Sequence, residues 1–190
     1  MSTSHALVAI EVLIEDHKLI QEQLLPIEPS TTQNASQYLT KLLILACVSH
    51  YEQTLKETFV RYSNKKSRGQ RKHPHRFEYD EKAYSVYKIF SFGRTDNPND
   101  ANTLKSTHKF LEPLKFFGDK FQKHIIETVE AQQSLDVSAQ AFQEMFSMRN
   151  LIAHNSYIQF NNIRGKSFDD IVALHNEALN FVNFFVSKFT

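Results

Sequence analysis

DVSAQAFQEMFSMRNLIAH, residues 136–154, is the stretch whose reading decides the fold. Phe142, Met145, Phe146 and Ile152 recur at steps of three, four and seven, and no glycine or proline interrupts them, so the stretch reads as an amphipathic helix. Asp136 is the expected N-cap, and the helix is expected to end near His154. Arg149 follows Phe142 and Met145 by seven and four positions and precedes Ile152 by three, which puts a cation on the apolar stripe. His154 lies on another line with Asn150, Ser147 and Gln143, all polar and none charged.

Outward from this stretch the same period holds. Four glycines and five prolines punctuate 190 residues, and apolar residues recur at helical steps rather than alternating, so the expected class is all-α, a bundle of about five to seven helices. A first helix is expected from about Ser4 to Leu24, with Leu7, Ile10, Leu13, Ile14, Ile20 and Leu24 as its stripe and Pro26 and Pro29 as its stop. Ser30 or Thr31 would cap a long second helix reaching about Tyr62, with Leu39, Leu42, Ala46, Tyr51, Leu55, Phe59 and Tyr62 at helical spacing. Ser63 to Arg76 breaks the pattern and reads as a basic loop between the second and third helices. A short helix near Glu81 to Phe90, a loop from Gly93 to Asn102 and helical pieces over about Thr103 to Gln132, interrupted near Pro113 and Gly118, are expected next. Ser167 and Asp170 have capping-box spacing and open a final helix carrying Phe168, Ile171, Val172, Ala178, Val182, Phe185 and Phe189. Leu174, Phe181 and Phe184 beside that stripe are candidates to meet a second copy of the chain.

The length suits one core, so a single domain over 1–190 is expected. Sixteen phenylalanines and no tryptophan fill that core with rings that need no polar partner. The net charge of +1 means that any hold on a polyanion must come from local clusters. One cysteine, Cys47, excludes an intrachain disulfide and a thiolate metal site. The longest apolar run, Leu42 to Val48, is far short of a membrane span, and the N-terminus has no signal-like stretch, so a cytoplasmic protein without a membrane contact is expected.

Spacing alone leaves two readings of Arg149 and His154. In one, Arg149 spreads its stem over the core and pairs with a carboxylate elsewhere, and His154 merely ends a helix whose dipole favours a cation. In the other, both act on a phosphate. Positions five apart differ by about 140° around a helix, so a second copy related by a two-fold axis would be needed to gather both residue types round one cleft.

The segment Met148-Arg149-Asn150-Leu151-Ile152-Ala153-His154-Asn155 resembles the signature of the HEPN superfamily of nucleases and nucleotide-binding domains. That signature is an arginine, four to six residues and a histidine near the end of a late helix, often with a polar residue directly after the arginine. The resemblance implies a symmetric dimer that cuts single-stranded RNA by attack of the ribose 2′-hydroxyl on the adjacent phosphate, with no metal and no cofactor. It implies proton transfer by His154, phosphate contact by Arg149, and orientation of His154 or the scissile group by Asn150. A stand-alone toxin or anti-phage defence effector, with an antitoxin or regulatory protein as partner, is the setting implied; a non-catalytic HEPN module binding RNA, nucleotide or protein is the alternative. Toxins of this type that are silenced by adenylylation carry a tyrosine two residues after the histidine, whereas Ser156 holds that place here and Tyr157 follows.

Three further groups are candidates. Glu52 and Lys56 stand four apart on the second helix, either as an ordinary surface pair or as auxiliary site residues like the acidic-then-basic pair of some HEPN nucleases. Lys65, Lys66, Arg68, Arg71, Lys72 and Arg76 form a basic cluster suited to RNA phosphates, or a merely solvated run. His73 and His75 lack a cysteine or carboxylate at ligand spacing, so no metal site is expected there. His175 lies on the stripe of the final helix and reads as a hydrogen-bonded core histidine.

Overall fold

A computed structural model describes residues 5–23, 26–69, 111, 114, 119–154 and 165–189, excepting the side chains of residues 5, 6, 29, 60, 62–69 and 154. It contains five α-helices: α1 (His5–Gln23), α2 (Pro29–Gly69), α3 (Asp119–Ala131), α4 (Gln133–His154) and α5 (Phe168–Ser187). No strand occurs among the described residues. The expected helix near residues 81–90 and loop at 93–102 lie outside them.

Two helix starts differ from those expected. Proline fits the first helical position, where an amide hydrogen has no partner anyway, so α2 begins at Pro29 and its first bonds run from the Thr32 amide (3.0 Å) and hydroxyl (2.9 Å) to the Glu28 carbonyl. Ser30 and Thr31 are therefore inside the helix. Asp136 is likewise inside α4: the amides of Leu135 and Asp136 both donate to the Gln132 carbonyl, at 2.9 and 3.0 Å. Asp136 still suits the first turn, where its charge faces the positive helix end. The third start agrees. Ser167 accepts from the Asp170 amide at 3.1 Å, and Asp170 accepts from the Ser167 amide at 2.8 Å, closing the capping box. Gly165, at φ +73°, turns the chain into it in a conformation that costs glycine nothing.

The end of α2 also differs. The helix continues through Lys65, Lys66 and Arg68 to Gly69, 41 residues in all, a rod of about 60 Å. Lysine and arginine are good helix formers and complement the negative helix end, so a polar run read as a loop forms the last turns of the helix. The loop reading of Ser63 to Gly69 is thus corrected. Arg71, Lys72 and Arg76 lie outside the described residues.

α1 folds back on α2, with the Nε2 of its buried His17 at 3.0 Å from Ser36 Oγ. The imidazole stacks on Phe168 at 3.9 Å, so the start of α5 joins the same contact. From there α5 runs in the direction of α2: His175 lies beside Tyr51, and Phe185 and Phe189 lie 5.9 and 5.4 Å from Phe59. α4 packs against both, bonded to α5 by the Ser138 hydroxyl on Glu177 and to the turn before α5 by Glu144 and Lys166 at 3.3 Å. Aromatic rings run through the core among its aliphatic residues. Phe142 lies 4.9 Å from Phe146 and 5.0 Å from Phe181, and Phe121 of α3 lies 5.2 Å from Phe189.

Burial corrects two side-chain expectations. Phe181 is fully buried and offers no surface to a second copy, while Leu174 and Phe184 are partly buried against the chain's own core. Leu42 is 50% exposed and Tyr38 46%. Both lie on the outer side of α2, because Leu43, Ile44, Cys47 and Val48 take the inward positions.

Candidate active site

Arg149 sits in the last turns of α4, on the face that Phe142 and Met145 bury. That face meets α2, and the guanidinium Nη2 stands 3.6 Å from Glu52 Oε1, each side chain being little more than a quarter exposed. The distance gives a Coulombic pair and not a hydrogen bond. Glu52 Oε1 is buried and accepts no hydrogen bond among the described residues. Burial raises the Glu52 pKa, and the Arg149 charge opposes that rise only in part. This carboxylate therefore holds its proton more readily than an exposed glutamate.

Asn150 makes a contact that its spacing did not suggest. Its carboxamide oxygen accepts from Arg149 Nη1 at 3.3 Å, so it touches the guanidinium itself. Arginine carries five donors in a planar fork, and a carboxylate and an amide oxygen on one side set the plane in which the fork is presented. Lys56, one turn beyond Glu52, is exposed. The backbone of α4 reaches His154, whose side chain lies outside the described residues, as do those of Lys65, Lys66 and Arg68 on the last turns of α2.

The sequence reading gave no role to His50 and placed Tyr51 only on the apolar stripe of the second helix. His50 is half-buried, and burial lowers its pKa. The hydroxyl of fully buried Tyr51 lies 2.7 Å from His175 Nδ1. Burial, with a smaller contribution from His50, pushes His175 down to about 4, so its imidazole is neutral at physiological pH. The run Ser49-His50-Tyr51-Glu52, four residues able to bond or titrate on an otherwise apolar stretch of α2, is a signal that could have pointed to this level of the bundle. Among the described residues no three His, Cys, Asp or Glu side chains are grouped to hold a metal ion. No helix among them is long and apolar enough to cross a membrane.

The cluster joins a late-helix arginine, the polar residue after it and an acidic residue of the long second helix. Neither the curated proteins nor the solved structures contain a match to the chain. The sequence model of the RiboL-PSP-HEPN family matches residues 11–190, from the first half of α1 to beyond α5. With an all-helical bundle and the Arg149 to His154 segment closing its penultimate helix, the chain belongs to the RiboL-PSP-HEPN family.

Proposed function

We propose that the protein is an endoribonuclease that cleaves single-stranded RNA by attack of the 2′-hydroxyl on the adjacent phosphate, without a metal, at a cleft shared by two copies of the chain. The observation that carries this reading is the meeting of Glu52, Arg149 and Asn150 at the end of α4. It assembles a phosphate-shaped donor fork and a carboxylate of raised pKa, one turn before the histidine of the same segment.

In this mechanism Arg149 bonds two oxygens of the scissile phosphate and stabilises the charge of the phosphorane. His154 moves a proton between the 2′-hydroxyl or the leaving 5′-oxygen and solvent, as an imidazole with a pKa near neutrality can. Asn150 holds the guanidinium plane, and Glu52 fixes the core side of Arg149. Lys56 and the basic end of α2, Lys65, Lys66 and Arg68, with Arg71, Lys72 and Arg76 beyond it, contact the RNA backbone. The second copy is required because Arg149 and His154 diverge by about 140° around one helix. The exposed Tyr38 and Leu42, on the side of α2 that carries Lys56, are the surface on which it docks. A toxin or defence effector held in check by a protein partner is the setting that fits such an enzyme.

The test is cleavage of mixed single-stranded RNA in chelator, with the ends analysed for 2′,3′-cyclic phosphate. His154→Ala should lose roughly a hundredfold to ten-thousandfold in rate and keep RNA binding. RNA bound but never cut would leave a binding module of the same family, and a His154→Ala protein as active as the parent would overturn the assignment of His154.

A further inference from the structure

Tyr51 is the side chain on which the three longest helices meet. Its ring lies 5.7 Å from Phe142 and 6.4 Å from Phe146 of α4 and stacks on the His175 imidazole of α5 at 5.6 Å and 14°. Its hydroxyl lies 2.7 Å from His175 Nδ1 and 3.4 Å from the His175 carbonyl oxygen. A neutral imidazole with its proton on Nε2 accepts the hydroxyl hydrogen at Nδ1, and the low pKa of His175 keeps that acceptor in place across the neutral range.

A polar pair is an uncommon choice in a core otherwise built of aliphatic side chains and phenylalanine rings. Phenylalanine in place of Tyr51 would fill nearly the same volume and bury no polar atom. What the hydroxyl adds is direction. Apolar contacts let a helix roll and slide by small amounts at little cost, whereas a short bond at the tip of a long ring fixes the roll of α2 about its axis and its height against α5. The next residue along α2 is Glu52, about 100° further round, where it meets Arg149.

We infer that the Tyr51–His175 hydrogen bond is a positioning device: it holds α2 at the roll that brings the Glu52 carboxylate to the Arg149 guanidinium. The inference rests on reading that pair as part of the functional site. Tyr51 and His175 touch no substrate and act through Glu52.

The test measures the pair directly. In the full-length chain with carboxyl-labelled glutamate, carbon-13 NMR follows the titration of Glu52, its signal assigned by loss in Glu52→Gln. In the parent, Arg149→Gln should raise the Glu52 midpoint by about one pH unit, since it removes an adjacent positive charge. In Tyr51→Phe and in His175→Leu backgrounds the same change should move it by less than about a third as much. His175→Asn, whose carboxamide oxygen can stand where Nδ1 stands, should restore the full shift. An equal effect of Arg149→Gln in all these backgrounds would overturn the inference, even if melting temperatures fell. Should His175→Leu fail to fold, Tyr51→Phe, which keeps the ring, decides alone. RNA cleavage by the same proteins separates the two readings. Coupling lost in Tyr51→Phe while the parent cuts no RNA supports the positioning and removes the nuclease; coupling kept in a parent that cuts RNA does the reverse.

Discussion

At the scale of the residue, the two readings of Arg149 left open by spacing predict opposite mutant behaviour. An arginine that only covers the core would tolerate lysine, whose stem packs alike and whose ammonium can still pair with Glu52. An arginine that grips a phosphorane would not, because an ammonium cannot reproduce a bidentate fork. Arg149→Lys should therefore melt within about 1 kcal/mol of the parent, yet cleave RNA nearly as poorly as Arg149→Ala; thermal melts beside cleavage rates check this. His175 gives a second prediction. Its folded value is about 4 and its unfolded value about 6.5. Between these the unfolded chain binds a proton that the folded chain refuses, so stability is full above about 6.5 and falls as the pH drops through 4, by up to about 3 kcal/mol. His17 and His50, also lowered by burial, pull the same way. Denaturant melts of His175→Asn and parent between pH 7 and 4 should show a shallower loss in the variant. Of the site, Arg149 and Asn150 were legible because their signature is local. Glu52 stood out through its spacing to Lys56, but its meeting with Arg149 was not legible, since it depends on how two helices far apart in sequence cross.

At the scale of the element, what was legible was what one turn of chain decides. The box at the start of α5 needs only Ser167 and Asp170, and Ser167→Ala should cost about 1 kcal/mol in a denaturant melt. The stripes of α4 and α5 were legible for the same reason, whereas the start and end of α2 were not. Composition marked Ser63 to Gly69 as loop, but nothing in those residues forbids a helix, and a long helix already anchored in the core extends at little cost. This changes what its charges can do. Lys65, Lys66 and Arg68 fall within about one turn of a continuous helix, so under the proposed function they act on the RNA backbone as a set. Replacing the three by glutamine should flatten the dependence of RNA affinity on salt by up to about three contacts' worth of slope and leave the melting temperature nearly unchanged. An unaltered slope assigns the end of α2 to another partner.

At the scale of the whole molecule, the position of the exposed apolar groups decides how two copies can meet. α5 turns most of its apolar face to the core: Phe181 is buried, and Leu174 and Phe184 are partly buried against it. On α2, Tyr38 and Leu42 stay about half exposed on the flank that leads along the helix to Lys56. A two-fold axis beside that flank would set the two long helices against each other and bring the ends of both α4 helices to one side. Each His154 could then face the Arg149 of the other copy, which supplies what one helix cannot. Leu42→Arg puts like charges at the axis while leaving the core untouched, because the wild-type side chain already reaches solvent. Sedimentation at micromolar concentration should show a dimer for the parent and a monomer for Leu42→Arg, with similar melting temperatures and RNA cleavage lost in the variant. Mixing Arg149→Ala with His154→Ala completes the argument. If each cleft takes its arginine from one copy and its histidine from the other, a mixed dimer has one cleft with both residues intact and one with neither, and half of the dimers in an equimolar mixture are mixed, so two inactive proteins should regain about a quarter of the parental rate. If both residues of a site came from one copy, no mixed dimer would hold an intact cleft and mixing would restore nothing, which together with a strictly monomeric parent would sink the shared-cleft mechanism.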